Sequence, residues 1–130
     1  MTSPDATLSA ARSWIADDPD PRMQAELAEL VERAENGDDP ALAEIADAFD
    51  GTLAFGTAGL RGRIGPGPNR MNQVVVARAA AGLAAYLNER GGGAVVVGYD
   101  ARRDSDLFAQ TTARILTGAG LSVMVLPEPL

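Results

Sequence analysis

Hydrophobic residues in the first fifty positions recur at the spacing of amphipathic α-helices. The clearest repeat follows Asp20 and Pro21, a favoured N-cap and a favoured first helical residue. Its apolar members recur at i, i+4, i+7, i+8 and i+11: Met23, Leu27, Leu30, Val31 and Ala34. Asn36-Gly37 ends this helix, and a shorter repeat over residues 7–16 predicts an earlier one.

A third helix is predicted after Asp39 and Pro40, which repeat the cap-and-proline pattern. Its inward-facing residues are predicted to be Leu42, Ile45, Ala46 and Phe49. Asp50-Gly51 stops the repeat. The three helices together predict a helical N-terminal segment over residues 1–50.

From residue 51 onward, short apolar runs alternate with helical repeats. Residues 53–60 predict a short strand that runs into a glycine-rich turn. Asn72 is predicted to cap a helix that reaches about residue 88. The residues expected to face inward on that helix are Val75, Ala79, Leu83, Tyr86 and Leu87.

The uninterrupted apolar run over residues 94–98 predicts a buried strand, and residues 121–126 predict the last strand. Between them, a helix capped by Asp104 or Ser105 is predicted to face inward with Leu107, Phe108, Thr111, Ile115 and Leu116. The order β, loop, α, β, α, β is typical of α/β proteins with right-handed crossovers. We therefore expect an αβα layered domain with a mixed, partly parallel sheet over residues 51–130, preceded by the helical segment.

Composition excludes several kinds of chemistry. The 130 residues include no cysteine and no histidine, so disulfides, thiolate nucleophiles and imidazole bases cannot come from this chain. No apolar run approaches the roughly 20 residues of a membrane span. The N-terminal residues lack the basic region of a signal peptide, and we expect a cytoplasmic protein.

Charge is distributed unevenly along the chain. Residues 1–50 carry 13 acidic and three basic groups, a net charge of −10, whereas residues 51–130 carry five acidic and eight basic groups, a net charge of +3. The acidic segment would repel nucleic acids and anionic membranes, so neither is expected as a partner. The second segment could receive a small anion such as phosphate.

The most informative stretch is Phe55-Gly-Thr-Ala-Gly-Leu-Arg-Gly62. Its glycines let the backbone approach a ligand closely, Thr57 adds a hydroxyl, and Arg61 adds a planar cation suited to phosphate. Arg63 and Arg70 could extend the positive lining. The alternative is a tight turn with a solvated arginine. The stretch matches neither a P-loop nor a dinucleotide-binding fingerprint.

A second candidate stretch follows the strand predicted at residues 94–98. It places Asp100, Arg102 and Arg103 at the carboxyl end of that strand, where ligands collect in α/β sheets. The alternative is an Asp–Arg pair that braces the turn, with Arg103 simply exposed.

Three stretches together resemble the opening of the α-phosphohexomutases, the family of phosphoglucomutases and phosphomannomutases: Phe55–Gly62, Asn69-Arg-Met-Asn72 and Val97-Gly-Tyr-Asp-Ala-Arg102. The resemblance is greatest to the branch with bacterial phosphoglucomutases and phosphopentomutase, and Trp14-Ile-Ala-Asp-Asp-Pro-Asp resembles its leader helix. It covers most of residues 12–130.

This resemblance implies the incomplete first domain of a four-domain enzyme. Such an enzyme interconverts hexose 1-phosphate and hexose 6-phosphate through a phosphoserine and a sugar bisphosphate. It implies Mg²⁺ and glucose 1,6-bisphosphate for the full-length enzyme, neither bound by this chain, with a sugar phosphate and the remaining domains as partners. It assigns catalysis to Arg61 and phosphate binding to Thr57, Gly59, Arg61 and Arg102. It also places Asp100 and Arg102 in a turn near the cleft, with a more structural role.

The chain departs from the family pattern in two places. It contains neither the Thr-Ala-Ser-His-Asn-Pro loop of the nucleophile nor an Asp-Gly-Asp metal loop. We therefore expect a fragment that is inactive alone. The alternatives are a stand-alone phosphate-binding or protein-interaction α/β module and a Rossmann-like nucleotide binder, which the missing fingerprint disfavours.

Overall fold

A computed structural model describes residues 3–130 of the chain. These residues form two compact units, of which one ends at Val74 and the other spans Val75–Leu130. The boundary predicted between residues 50 and 51 stays a prediction. It marks where the sequence changes from helical repeats to a glycine-rich stretch, whereas the structural division marks where compact packing changes.

Three helices make up most of the first unit: α1 (Pro4–Asp17), α2 (Pro21–Glu35) and α3 (Asp39–Ala48). Each begins with a proline at its first or second position behind a side-chain cap, and the caps are Ser3, Asp20 and Asp38. The predicted cap of α2 is confirmed. For α3 the predicted cap was one residue late, because Asp38 rather than Asp39 accepts the hydrogen bond from the Ala41 amide.

The three helices enclose one hydrophobic cluster: Ala11, Leu27, Leu30, Val31, Ala41 and Ile45. Trp14 packs edge-on against Phe49, with ring centroids 5.9 Å apart. The inward face predicted for α3 was partly wrong, since Ala46 is exposed and Leu42 only half-buried. The buried residues of α3 are Ala41, Ile45 and Ala48, and the two small alanines let the helix approach its neighbours closely.

A two-stranded antiparallel hairpin follows the helices in the first unit. It pairs β1 (Phe55–Gly56) with β2 (Gly59–Leu60), and Phe55 lies opposite Leu60. The predicted short strand that runs into a turn is thus found, with the turn at Thr57-Ala58, whereas the return strand β2 was not predicted.

The second unit contains a parallel strand pair packed by helices. After α4 (Gln73–Glu89) come β3 (Ala94–Val97), α5 (Ser105–Gly118) and β4 (Ser122–Val125). The strands β3 and β4 pair in parallel with Ala94 opposite Ser122 and Val97 opposite Val125. The predicted β–α–β order and the parallel pairing are confirmed in this unit.

Within residues 75–130, one face of this strand pair is covered and the other is exposed. Val95, Val97 and Val123 pack against a cluster formed by Ala84 of α4, Leu116 of α5 and Leu121. On the opposite face, Val96 and Met124 are each 64% exposed. The prediction of a fully buried strand at residues 94–98 was therefore wrong, since both helices contribute to the same side.

The inward face of α4 also differs from the prediction. Leu83 and Tyr86 are exposed, and the buried positions are Val75, Ala80 and Ala84. The ring of Tyr86 instead makes a cation–π contact with Arg90, whose guanidinium carbon lies 3.8 Å from the ring centroid. The structure is thus a mixed α/β fold with a helical N-terminal segment and small sheets, and no helix within residues 3–130 is long and apolar enough to cross a membrane.

Candidate functional site

The β1–β2 hairpin carries three of the predicted site residues: Thr57, Gly59 and Arg61. Thr57 is exposed in the turn, and Gly59 has a φ of 95°, in the left-handed region that favours glycine. Arg61 follows β2 directly, and its side chain is exposed. Within residues 3–130 no hydrogen bond or ion pair involves the Arg61 side chain. The hairpin therefore presents a hydroxyl, a glycine backbone and an unneutralised guanidinium on one short segment.

The two arginines that follow Arg61 have different surroundings. Arg63 Nη2 lies 2.6 Å from Glu44 Oε1, and Arg70 Nη2 lies 2.7 Å from Asp47 Oδ2. The side chain of Arg70 is only 7% exposed. Both arginines are thus engaged by carboxylates of α3, which differs from the expectation that they extend the positive lining beside Arg61.

A tight loop after the hairpin is built around Asn72. This residue is completely buried, and its Nδ2 donates hydrogen bonds of 2.8 Å to the carbonyls of both Gly65 and Gly67. Helix α4 begins immediately after it, as predicted. Because a buried amide without partners would be costly, these two bonds fix the loop in one conformation.

The same loop closes on the C-terminal end of α3. The amide of Asn69 donates to the carbonyl of Ala48 at 3.0 Å, and the Asn69 side chain donates to the carbonyl of Asp47 at 3.0 Å. Gly67 has a φ of 113°, and a Cβ there would lie 2.7 Å from the Ala48 carbonyl oxygen. The last carbonyls of a helix lack hydrogen-bond donors within the helix, and here Asn69 supplies two such donors.

Both ends of the hairpin segment are tied to this loop. Before β1, the amide of Leu53 donates to the carbonyl of Pro68 at 3.0 Å. After β2, the carbonyl of Arg63 accepts a 2.8 Å hydrogen bond from the amide of Met71. The chain around Arg61 is therefore held on each side by the segment that closes on α3.

The fourth predicted site residue, Arg102, belongs to the turn after β3 in the second unit. Its Nε donates to Asp100 Oδ2 at 2.7 Å, and its backbone amide donates to Asp100 Oδ1 at 3.1 Å. Ser105 Oγ also donates to Asp100 Oδ1, at 2.6 Å. The Ser105 hydroxyl, the Arg102 amide and the Arg102 guanidinium hold the pKa of Asp100 below its usual value. This geometry agrees with the interpretation of Asp100 as a brace of the turn.

The turn after β3 ends at Asp104, whose backbone conformation is strained. Asp104 precedes α5 with a φ of 65°, which is unusual for a residue other than glycine. It lies at the predicted cap position, but its side chain makes no capping hydrogen bond. Arg103 is exposed, and its Nε lies 4.0 Å from Asp104 Oδ2.

The described part of the chain offers no metal centre of its own. Among residues 3–130, no group of three or more carboxylate, histidine or cysteine side chains is placed to hold a metal ion. The residues present therefore do not fit the Mg²⁺ that the resemblance implies for the full-length enzyme. The structure thus presents Thr57, Gly59 and Arg61 on one hairpin and Arg102 in a different unit, and their roles stay predictions.

Sequence reasoning missed the residues that fix the hairpin. Asn72 was expected only as a helix cap, and Asp47 was not singled out at all. The stretch Asn69-Arg-Met-Asn72 did stand out as a motif, but the side chains of Asn69 and Arg70 contact Asp47, which lies about twenty residues earlier on α3.

Comparison with known proteins gives a consistent assignment. Residues 52–130 match the family described as phosphoglucomutase/phosphomannomutase, alpha/beta/alpha domain I. The chain is 43% identical over 76 residues to a phosphoglucomutase of Staphylococcus haemolyticus, a match that covers 58% of this chain and 14% of that protein. It is 41% identical over 81 residues to a phosphoglucomutase of Staphylococcus aureus, covering 62% of this chain and 15% of that protein.

The matched region thus corresponds to about one seventh of the length of these curated relatives. No solved structure matches the chain significantly. The family match begins at residue 52, so it includes the hairpin with Arg61, the Asn72 loop and the whole second unit, and leaves out the three N-terminal helices. Because this match covers more than half of the sequence, the chain belongs to the phosphoglucomutase/phosphomannomutase family through its domain I.

Proposed function

We propose that this chain is the N-terminal part of a phosphosugar mutase that interconverts hexose 1-phosphate and hexose 6-phosphate. The observation that carries the proposal is the family match over residues 52–130. This region contains Arg61, an exposed arginine on a glycine-containing hairpin that has no hydrogen-bond or ion-pair partner for its side chain among residues 3–130. The complete reaction would run through a phosphoserine and a bisphosphorylated sugar, and the Mg²⁺ that it requires would be held by residues other than those described here.

Arg61 has the role of stabilising negative charge on the phosphoryl group. A guanidinium offers several N–H donors in a planar fork that matches phosphate oxygens, and its charge does not titrate near neutral pH. Because no carboxylate within residues 3–130 neutralises Arg61, its donors are open to a ligand. The Thr57 hydroxyl adds a neutral donor on the same hairpin, and Gly59, which has no side chain, lets a phosphate approach the backbone closely.

Arg102 has a second, weaker claim to phosphate binding. Its Nε is engaged by Asp100, which leaves the terminal nitrogens on an 82% exposed side chain. We assign it a contact to the substrate's phosphate rather than to the transferring group, because the Asp100 carboxylate already offsets part of its charge.

The chain has no serine in the sequence context of the family nucleophile, so we expect no mutase activity from it alone. The test is a chimera in which residues 1–130 are joined to the part of the Staphylococcus haemolyticus phosphoglucomutase that follows its matched segment. Conversion of glucose 1-phosphate to glucose 6-phosphate is measured with Mg²⁺ and glucose 1,6-bisphosphate. The relative without its N-terminal segment, and the 130-residue chain alone, give the background.

The proposal predicts that the chimera is active and that Arg61→Ala lowers kcat by about 10²–10³-fold, or roughly 3–4 kcal/mol, as when one preorganised donor is lost. Arg61→Lys should restore only part of the activity, because a point charge cannot replace the planar fork. Arg114 is exposed on α5 and gives the matched control, so Arg114→Ala should change kcat less than about threefold.

Two results would count against the proposal. A chimera that shows native-like circular dichroism and a cooperative melt but no turnover would refute the mutase assignment. An Arg61→Ala chimera with a lower melting temperature and normal kcat would show that this arginine only braces the turn.

A further inference from the structure

The three N-terminal helices lie outside the family match, yet α3 holds the loop to which the Arg61 hairpin is attached. We propose that Asp47, through its ion pair with Arg70, is a positioning residue for Arg61. The helical segment would then set the affinity of the phosphate site, in addition to contributing a surface. This inference rests on the proposed phosphate-binding role of Arg61.

The first step is the burial of Arg70. The Arg70 side chain is almost completely buried. Its guanidinium forms an ion pair with Asp47 Oδ2 at 2.7 Å and donates a hydrogen bond to the carbonyl of Asn69 at 3.1 Å. A buried guanidinium needs a charged partner, because a carbonyl cannot compensate the loss of water around a full charge. Without the Asp47 carboxylate, Arg70 would move toward solvent and take the loop with it.

The second step links this loop to Arg61. Residues close to Arg70 in the chain hold both ends of the hairpin segment. The carbonyl of Pro68 accepts a hydrogen bond from the amide of Leu53, and the amide of Met71 donates one to the carbonyl of Arg63. Arg61 lies only two residues before Arg63. A shift of the loop therefore reaches Arg61 through two backbone hydrogen bonds and a very short stretch of chain.

Simple electrostatics predicts the opposite sign, which makes the inference testable. Replacing Asp47 by asparagine removes one negative charge from the unit that carries Arg61 and frees the charge of Arg70. Both changes would strengthen the binding of an anion if only charge mattered. A positioning role predicts weaker binding instead, because the donors lose their common geometry.

The experiment titrates inorganic phosphate into the full 130-residue chain at constant ionic strength and follows the NMR signals of the Thr57 and Gly59 amides and the Arg61 Nε–H group. We expect Asp47→Asn to remain folded and to raise the dissociation constant of phosphate by roughly 3–10-fold, well under the cost of a full misplacement. Asp47→Glu, which keeps the charge, should restore part of the affinity.

The matched control is Glu35→Gln, which also changes a carboxylate to an amide and breaks the 2.6 Å ion pair between Arg12 and Glu35 on α1 and α2. It should leave phosphate affinity and the hairpin signals unchanged. Arg70→Lys gives a second route if Asp47→Asn fails to fold, since lysine keeps the charge and loses the planar contacts. We expect it also to weaken phosphate binding.

The possible outcomes separate the two claims. If Arg61→Ala does not weaken phosphate binding to the otherwise unchanged chain, the assignment of Arg61 fails and the positioning role fails with it. If binding depends on Arg61, but folded Asp47→Asn and Arg70→Lys bind phosphate as tightly as the parent chain or more tightly, the positioning role alone is refuted. Lower melting temperatures with unchanged affinity would likewise refute it.

Discussion

Replacing Gly67 by alanine tests the close contact between the loop and α3. At this position φ is 113°, and an added Cβ would lie 2.7 Å from the carbonyl oxygen of Ala48 and 3.1 Å from its Cβ. Both obstacles belong to the helix end, so no flexible side chain can move aside. The same carbonyl accepts the hydrogen bond from Asn69, and a shift that relieves the clash would weaken that bond.

Two contributions give the expected magnitude. A residue with a side chain in a left-handed conformation costs about 1–2 kcal/mol relative to glycine. A forced backbone shift in a packed region adds about 1–3 kcal/mol. We therefore expect Gly67→Ala to lower the free energy of unfolding of the first unit by roughly 2–5 kcal/mol.

Gly37→Ala separates the two contributions. Gly37 has a φ of 91° at the end of α2, but an added Cβ there would have no atom within 4 Å. This variant should lose only the conformational contribution, about 1–2 kcal/mol. Urea unfolding followed by fluorescence suits both variants, since Trp14 is the single tryptophan and contacts Phe49, the residue after Ala48. Equal losses of stability in the two variants would refute the close contact.

Three further predictions follow from other features. Asn72→Asp should lower the stability of the first unit by at least about 3 kcal/mol at neutral pH, because a buried carboxylate would face two carbonyl oxygens, as urea unfolding will show. Acidification should also lower stability. The amide of Ala41 and the side chain of Arg33 lower the pKa of Asp38, and the Ser105 hydroxyl with Arg102 lowers that of Asp100. Each carboxylate therefore stabilises the fold above its unfolded pKa of about 3.9, and that stabilisation is lost as the pH falls through the lower folded value. Finally, the bare sheet face should make the chain self-associate, and Val96→Thr with Met124→Thr should reduce the association measured by sedimentation velocity.

Matched variants keep these predictions open to refutation. Asn88→Asp changes an exposed asparagine on α4 and should cost under about 1 kcal/mol, so a similar loss for both asparagines would contradict the role of burial. Asp38→Asn keeps a good N-cap but cannot titrate, and it should flatten the decline of the urea midpoint between about pH 5 and pH 2. A parent chain that remains monomeric at every concentration would remove the argument about the sheet face.

Local patterns along the sequence predicted the elements whose signals are local. Helix α2 begins after Asp20 with Pro21 and ends before Gly37, as predicted, because caps and breakers act within one turn of the helix. The order of β3, α5 and β4 was also predictable from the alternation of apolar runs.

Burial was harder to predict because it depends on what lies opposite each face. Val96 lies in an uninterrupted apolar run, which is typical of a strand covered on both sides, yet the described residues cover only one side. The helical repeat of α4 placed Tyr86 inward, whereas its ring is exposed and carries Arg90. Neither case could be resolved from spacing, since spacing identifies a face without identifying its partner.

The candidate site shows the same division. The stretch with Thr57, Gly59 and Arg61 was recognisable as a candidate from composition and order within eight residues, although its hairpin pairing was not predicted. The ion pair between Asp47 and Arg70 joins residues that are far apart in the chain, and no local pattern specifies it. The sequence could therefore indicate candidate site residues, but the contacts that fix their geometry required the structure.

The parallel pairing of β3 and β4 also constrains how the second unit folds. Its register joins Ala94 to Ser122, so the two strands can pair only after the chain between them, including all of α5, has closed into a loop. Such closure costs entropy before any strand hydrogen bond compensates it, and non-local pairing of this kind slows folding. We therefore expect α5 to dock early through the buried Leu116, so substitutions at Leu116 should slow refolding of this unit more than substitutions on the exposed strand face.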